Sequence, residues 1–261
     1  MTPEPRLLAI DSSTDTLSLA LAEGTRAVQH HTGPGGAQAS HSLLPQAQAL
    51  LDAAGWGLSD LDAIVFGRGP GSFTGLRTAC AVAQGLAYGT RSARHPEGLP
   101  VLPVDTLLAL AEQARADHAA EGSVLPRHIV ALLDARMDEL YLAVYACGPQ
   151  GVLSETVSPR LIAPADLAPW LLSQGLGEHT LLAGNAFAPY ADALAAAPGQ
   201  RRNALPTAQA LLRLAPAMLA NGMAVAAREA LPLYVRDKVA RTTAEREGRP
   251  AKPQQQPEPT P

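Results

Sequence analysis

Residues 7–22, LLAIDSSTDTLSLALA, decide the fold once they are set beside residues 132–145, LLDARMDELYLAVY. Each stretch is an apolar run closed by an aspartate, then a short polar turn, then a second apolar run; Leu17, Leu19 and Leu21 fall at every second position. Period-two alternation after a turn of small polar residues predicts two antiparallel strands joined as a hairpin. Aligned on their turns, Asp11 matches Asp134, Asp15 matches Asp138, Leu17 matches Leu140 and Leu19 matches Leu142. Correspondence at that level marks an internal duplication.

The neighbouring elements recur in the same order. In the first half we expect a third strand near residues 27–31, a helix over 40–54 stopped by Gly55, a strand over 63–66, a glycine-rich turn and a helix over 74–88. In the second half, residues 164–173 read as a helix and 180–183 as a strand, and Gly184-Asn185 opens a further helix. Hairpin sheets carrying helices give an α/β class with two lobes. The expected division is an N-terminal lobe over 1–104, a second lobe over 105–235 whose last helix packs back on the first, and a tail over 236–261. Residues 236–252 hold Arg236, Lys238, Arg241, Arg246, Arg249 and Lys252 against three acidic side chains, and PQQQPEPTP follows. So little apolar surface predicts a disordered tail.

Composition excludes several classes. The chain has 261 residues, 47% apolar and 17% charged, enough to bury a sizeable core. A formal net charge of −4 gives no global attraction to nucleic acid. The apolar stretch before Asp11 is too short for a signal-peptide core, and the Ala/Leu tracts are broken by Arg213, Pro216 and Arg228, so a cytoplasmic protein without membrane contact is expected. Cys80 and Cys147 share no metal-ligand spacing and read as structural thiols.

Residues 67–75, GRGPGSFTG, are the most enzyme-like stretch: Gly67, Gly69, Gly71 and Gly75, with Ser72 and Thr74, lie between a strand and a helix. A phosphate loop of the Walker type ends in Gly-Lys-Ser/Thr, whereas Gly75 is followed by Leu76 and Arg77. A dinucleotide fingerprint needs a third glycine where Thr74 stands. The glycines then serve a tight turn and close helix–sheet approach, in preference to direct phosphate binding.

Two lobes with Asp-bearing hairpins resemble the actin, sugar kinase and Hsp70 superfamily, with a two-lobed actin-like (ASKHA, duplicated RNase H-like) fold. Within it, AIDSSTDTLSLAL, GRGPGSFTGLR, ALLDARMDELYLAVY and PLYVRDKVA are similar to the bacterial TsaB (YeaZ) family over roughly residues 6–240. That resemblance implies a part in forming N6-threonylcarbamoyladenosine (t6A) at position 37 of tRNAs reading codons that begin with A. It further implies a heterodimer with the catalytic paralogue TsaD, joined by the ATPase TsaE, in which this chain is a non-catalytic activator. tRNA would be reached through the complex. Read from its charge, the basic tail offers tRNA phosphates a salt-dependent contact, with a solvated tail as the more frequent alternative. The rival is an independent actin-like ATP-dependent phosphotransferase or ATPase.

Catalytic TsaD-like proteins carry a metal-binding His-x-x-x-His, and matching the flanking Pro-Val puts Thr106 and Leu110 at those positions. Neither supplies an imidazole, so no metal site and no catalytic residue are expected. The remaining histidines are scattered, and no resident cofactor is expected. The superfamily's nucleotide cleft would fall on Asp11, Ser12 and Ser13, on Asp134 and Arg136, and on Gly184 and Asn185. Kinase relatives keep glycines in these turns, so a vestigial cleft is implied here, with ATP or ADP confined to the boundary with partners. Short carboxylates such as Asp11 and Asp134 also cap turns.

The helix after the glycine loop is almost uncharged, with small residues at Gly75, Ala79 and Ala83 and again at Ala81 and Gly85; the preceding helix carries a stripe of Leu43, Ala47 and Leu51. Composition leaves open whether the chain covers these helices itself or offers them to a partner. The resemblance implies an interface through Leu43, Ala47, Leu51, Gly75, Leu76, Ala79 and Ala83, used by TsaD or, without it, by a homodimer. On that expectation a charge at Ala79 or Ala83 abolishes TsaD binding and leaves the monomer folded.

Overall fold

The two aspartate-bearing hairpins form the centres of two five-stranded sheets in the computed structural model, which describes residues 4–24, 26–91 and 95–236. In the first, β1 (Arg6–Asp11) pairs antiparallel with β2 (Thr16–Glu23), placing Ile10 opposite Leu19 and Asp11 opposite Ser18. Beyond β2 lies β3 (Arg26–Pro34), while β4 (Ala63–Gly69) and β5 (Val101–Asp105) add in parallel on the other side of β1. The second sheet is built from β6 (His128–Asp134), β7 (Leu140–Cys147), β8 (Leu153–Ile162), β9 (Thr180–Gly184) and β10 (Gln200–Asn203). Its order, β8-β7-β6-β9-β10, repeats β3-β2-β1-β4-β5 position for position. The duplication seen in the turns therefore extends through both sheets, and the two-lobed actin-like architecture expected from the sequence is the one formed.

Alternation sorts each sheet into two faces. On the first sheet Leu8, Ile10, Leu17, Leu19, Leu21, Ile64 and Phe66 meet helices α1 (Ala39–Ala54) and α2 (Phe73–Gly89). The opposite face, Leu7, Ala9, Ala20, Ala22, Ala63 and Val65, meets α5 (Ala208–Ala220) and part of α3 (Thr106–Ala120). Alanines at 9, 20, 22 and 63 make this face shallow, so α5 lies close against it. Both faces being covered explains why β1 is apolar at consecutive positions from Leu7 to Ile10, all fully buried. Each such Leu or Ile contributes about 1.5–3 kcal/mol of burial free energy.

The second sheet divides in the same way. Val130, Leu132, Leu140, Leu142 and Val144 face α4 (Pro164–Ser173), and Ile129, Ala131, Leu133, Ala143 and Tyr145 face α3. Helix α3 thus lies between the sheets and is buried on more than one side, at Leu107, Ala109, Leu110, Ala111 and Ala114. It is tied to α5 by Glu112, whose buried carboxylate accepts from Arg115 (2.7 Å) and from Arg213 (2.8 Å).

Three departures from the sequence reading stand out. Gly184-Asn185 does not open a helix: residues 187–196 form successive turns that cap the second sheet with Ala186, Leu194 and Ala197. Pro189 has no N–H to donate, and both Asn185 and Tyr190 are drawn to Asp134. Strand β4 continues through Gly67 to Gly69, so part of the glycine turn is sheet. Strands β5, β8 and β10 lie outside the elements expected from the sequence; β10 exposes three of its four residues and β8 half of its ten, so both carry little apolar signal. The expected disorder of the tail, apart from Arg236, concerns residues outside those described.

Candidate functional site between the hairpin turns

The turns after β1 and β6 face one another across a cleft of about 410 Å³. Its walls include Asp15, Ser72, Phe73, Asp134, Arg136 and Asn185. Each turn is closed by its own aspartate. Asp11 Oδ1 accepts from Ser13 N (3.1 Å) and Ser13 Oγ (2.8 Å); Asp134 Oδ1 accepts from Arg136 N (2.8 Å). These are local side-chain caps of the kind short carboxylates form.

The turns differ in burial. Asp11, Ser12 and Ser13 are buried, and desolvation raises the Asp11 carboxyl to about 6 although the bonds from Ser13 act the other way. Asp11 Oδ2 is buried with no hydrogen-bond partner and points at Gly67, where a Cβ would overlap it. Asp134 is richer in partners: its N–H donates to Asn185 Oδ1 (2.9 Å), Arg136 Nη1 pairs with Oδ2 (3.2 Å), and Tyr190 donates its hydroxyl to Oδ1 (3.0 Å). Burial and that bond push the Tyr190 hydroxyl up to about 12. Gly184 carries φ of 156° and lies against the Leu132 carbonyl, bringing Asn185 under the turn.

The glycine loop packs into the first turn. Ser72 N donates to Ser13 O (2.7 Å) and Ser12 Oγ donates to Gly75 O (2.8 Å). A Cβ at Gly71 would overlap Ser13 O, and one at Gly75 would overlap Ser12 O. Ser72 caps α2 through Gly75 N, and Thr74 lies exposed on the first turn of that helix beside the cleft. Arg68 pairs with Asp105. The loop amide Ser72 N and the turn amides Ser13 N and Arg136 N already donate within the chain, so these three are not offered to a phosphate.

The second turn has an unusual backbone. Arg136, Met137 and Asp138 all have φ between 56° and 61°. Left-handed conformation costs roughly 1–2 kcal/mol per non-glycine residue, least for Asp, so this turn is held by its surroundings. Arg136 extends from it to Asp15 Oδ2, 3.0 Å away on the opposite turn, joining the lobes across the cleft mouth. Arg236 packs behind it, pairing with Glu139 and donating to Arg136 O (3.3 Å). Neither role is visible in the sequence, because Arg136 lies far from Asp15 and Arg236 far from Glu139 along the chain, and each pair meets only in the fold.

At the two positions where the resemblance would put metal-binding histidines, Thr106 Oγ1 accepts from Gly69 N (3.1 Å), and Leu110 is buried against the second sheet. Both serve packing. Among the described residues no group of three or more His, Cys, Asp or Glu side chains is arranged to hold a metal, and no helix is long and apolar enough to cross a membrane.

The expected interface residues are covered by the chain itself. Leu43, Ala47, Leu51, Ala79 and Ala83 belong to the core under the first sheet, and Gly75 and Leu76 are equally buried. A charge at Ala79 or Ala83 would enter that core, so the expectation that such variants stay folded is withdrawn. The second small-residue stripe is the open one. Ala81 and Gly85 are exposed, together with Leu44 on α1 and Tyr88 at the end of α2. A Cβ at Gly85 would meet no atom within 4 Å.

Comparison with known proteins covers most of the chain. A family model described as TsaD, tRNA N6-adenosine threonylcarbamoyltransferase, matches residues 25–244. The tRNA threonylcarbamoyladenosine biosynthesis protein TsaB of Escherichia coli (strain K12) is 33% identical over 241 residues, covering 90% of this chain and 96% of that one. The protein of the same name from Haemophilus influenzae is 33% identical over 242 residues, 89% of this chain and 94% of the relative. Among solved structures, YeaZ from Pseudomonas aeruginosa superposes with a TM-score of 0.73 at 37% identity, covering 88% of this chain and 99% of that chain.

Proposed function

Because this chain belongs to the TsaB (YeaZ) family of tRNA threonylcarbamoyladenosine biosynthesis proteins, we propose that it acts as a non-catalytic cytoplasmic subunit that binds TsaD and holds it in its active form. TsaE joins this pair, and tRNA is engaged by the assembled complex. A scaffold of this sort shifts its partner's equilibrium only through better contact with the active form.

The observation that carries this reading is the open face of α2. A glycine inside a helix costs about 1 kcal/mol relative to alanine. Gly85 has no positive φ and no neighbour requiring its small size, so nothing within the chain accounts for it. With Ala81 one helical turn away and also exposed, it permits close approach of a partner helix. The same face serves a homodimer when TsaD is absent. The contact surface assigned here is therefore Leu44, Ala81, Gly85 and Tyr88, with the buried Leu43, Ala47, Leu51, Leu76, Ala79 and Ala83 supporting it from beneath.

The rival, an independent phosphotransferase, is disfavoured by the non-glycine residues Ser12, Ser13, Ala135 and Arg136 in the turns, and by the Ser13, Arg136 and Ser72 amides that already donate within the chain. ATP or ADP is assigned only to the boundary with partners. The test is reconstitution of t6A formation with and without this chain, alongside co-elution of Ala81→Arg and Gly85→Arg with TsaD. Folded variants that still co-elute overturn the interface, and full activity without the chain overturns the requirement. ATP turnover by the isolated chain would favour the rival.

A further inference from the structure

After α5 the chain returns along the first lobe and ends its described course on the second. Val225 bridges to Val101 by two backbone hydrogen bonds, and Ala230 O accepts from Gln84 Nε2 (2.8 Å) and Cys80 Sγ (3.2 Å). Leu233 N then donates to Arg68 O (2.7 Å), while Leu233 O lies where a side chain at Gly69 would be. Tyr234 OH accepts from Arg77 Nε (3.1 Å), and its ring centroid is 5.4 Å from that of Phe73. Up to this point every polar anchor is on the first lobe.

The last two residues belong to the other lobe. Val235 packs against the α3 face of the second sheet. Arg236, only 12% exposed at its side chain, pairs with Glu139 and donates to Arg136 O (3.3 Å) and Met137 Sδ (3.3 Å). Its guanidinium therefore touches two of the three residues held left-handed, Arg136 and Met137, and the residue that follows them. The fork geometry of arginine suits this: one planar group satisfies a carboxylate, a carbonyl and a sulfur at once.

We propose that residues 231–236 form a latch, in which Arg236 holds the turn 136–138 in its left-handed form and so sets Arg136 against Asp15 across the cleft. Withdrawing Arg236 removes the groups that offset the unfavourable backbone, the turn relaxes, and the bridge between the lobes is lost. The latch acts on the cleft, away from the helix face assigned to TsaD.

The test is hydrogen exchange on the full chain, comparing the parent with Arg236→Gln. Two amides report the turn directly, Ala135 N bonded to Glu139 O (2.9 Å) and Glu139 N bonded to Arg136 O (3.2 Å). The expected result is at least tenfold faster exchange at these two amides, faster tryptic cleavage after Arg136, and unchanged protection in β1 and β4. Adding Met137→Gly, which makes left-handed backbone inexpensive at that position, should restore slow exchange without restoring Arg236. A merely structural role would not predict that rescue. Exchange within twofold of the parent in Arg236→Gln, or no rescue by the glycine, overturns the latch. If Arg236→Gln does not fold, Glu139→Gln is measured instead, since it removes the ion pair while leaving Leu233 and Val235 in place; unchanged exchange there overturns the proposal equally.

Discussion

Ser12 donates its hydroxyl to the carbonyl of Gly75 across 2.8 Å, which makes the first hairpin turn and the start of α2 a single packed unit. Gly75 is therefore required by the chain's own backbone at one end of α2, whereas a Cβ at Gly85 towards the other end would meet nothing within 4 Å.

That contrast predicts opposite outcomes for one substitution at two positions of the same helix. Gly75→Ala places a methyl group inside the Ser12 carbonyl and should lower stability by about 1–3 kcal/mol in urea unfolding. Gly85→Ala meets open space and should raise stability by up to about 1 kcal/mol. Equal effects at both sites would contradict the packing described.

Charge placement on α2 separates its faces. Ala79→Asp and Ala83→Asp bury a carboxylate among Leu8, Phe66 and Leu43, and each should cost more than about 3 kcal/mol or prevent folding. Ala81→Arg should stay within about 0.5 kcal/mol of the parent, because its side chain enters solvent. Circular dichroism melts of the purified monomers distinguish these cases.

Asp11 should make stability depend on pH. Its carboxyl is raised from 3.8 to about 6 by burial, so the folded state holds a proton that the unfolded chain has released between those values. The contribution of Asp11 is fully present below about pH 3.8 and is lost as pH rises through about 6. Relative to the parent, Asp11→Asn should then gain up to about 3 kcal/mol between pH 4 and pH 7.5, at 1.36 kcal/mol per pKa unit. A difference between variant and parent that stays flat over that range would refute the assignment.

Glu112 is the buried carboxylate shared by Arg115 and Arg213 between α3 and α5. Removing it leaves two arginines without their common partner, and Glu112→Ala should cost about 3 kcal/mol in denaturant. Arg213→Ala, whose side chain is 35% exposed, should cost clearly less. The reverse ranking would place the α3–α5 tie elsewhere.

What could be read from the sequence was whatever repeats at short range. The alternation of Leu17, Leu19 and Leu21 gave the strand, the matching aspartates gave the duplication, and Gly55, left-handed with φ of 69°, ends α1 where the reading placed it. Local signals fail where a segment is polar on an exposed edge, as in β8, or where distant partners compete for it, as Asp134 does for Asn185 and Tyr190.

By itself, then, the sequence determined the two hairpins, the α/β class and the kinship, because backbone periodicity and turn chemistry act between near neighbours. Which stripe of α2 is buried was beyond it: Ala79 and Ala83 on one side and Ala81 and Gly85 on the other are alike in size and polarity. Only the tertiary structure decided that, since the answer depends on where β1 and α1 come to lie. The same holds for the turn 136–138, whose left-handed backbone is held by Arg236, ninety-seven residues beyond Glu139 in the chain and in contact with it only in the folded protein.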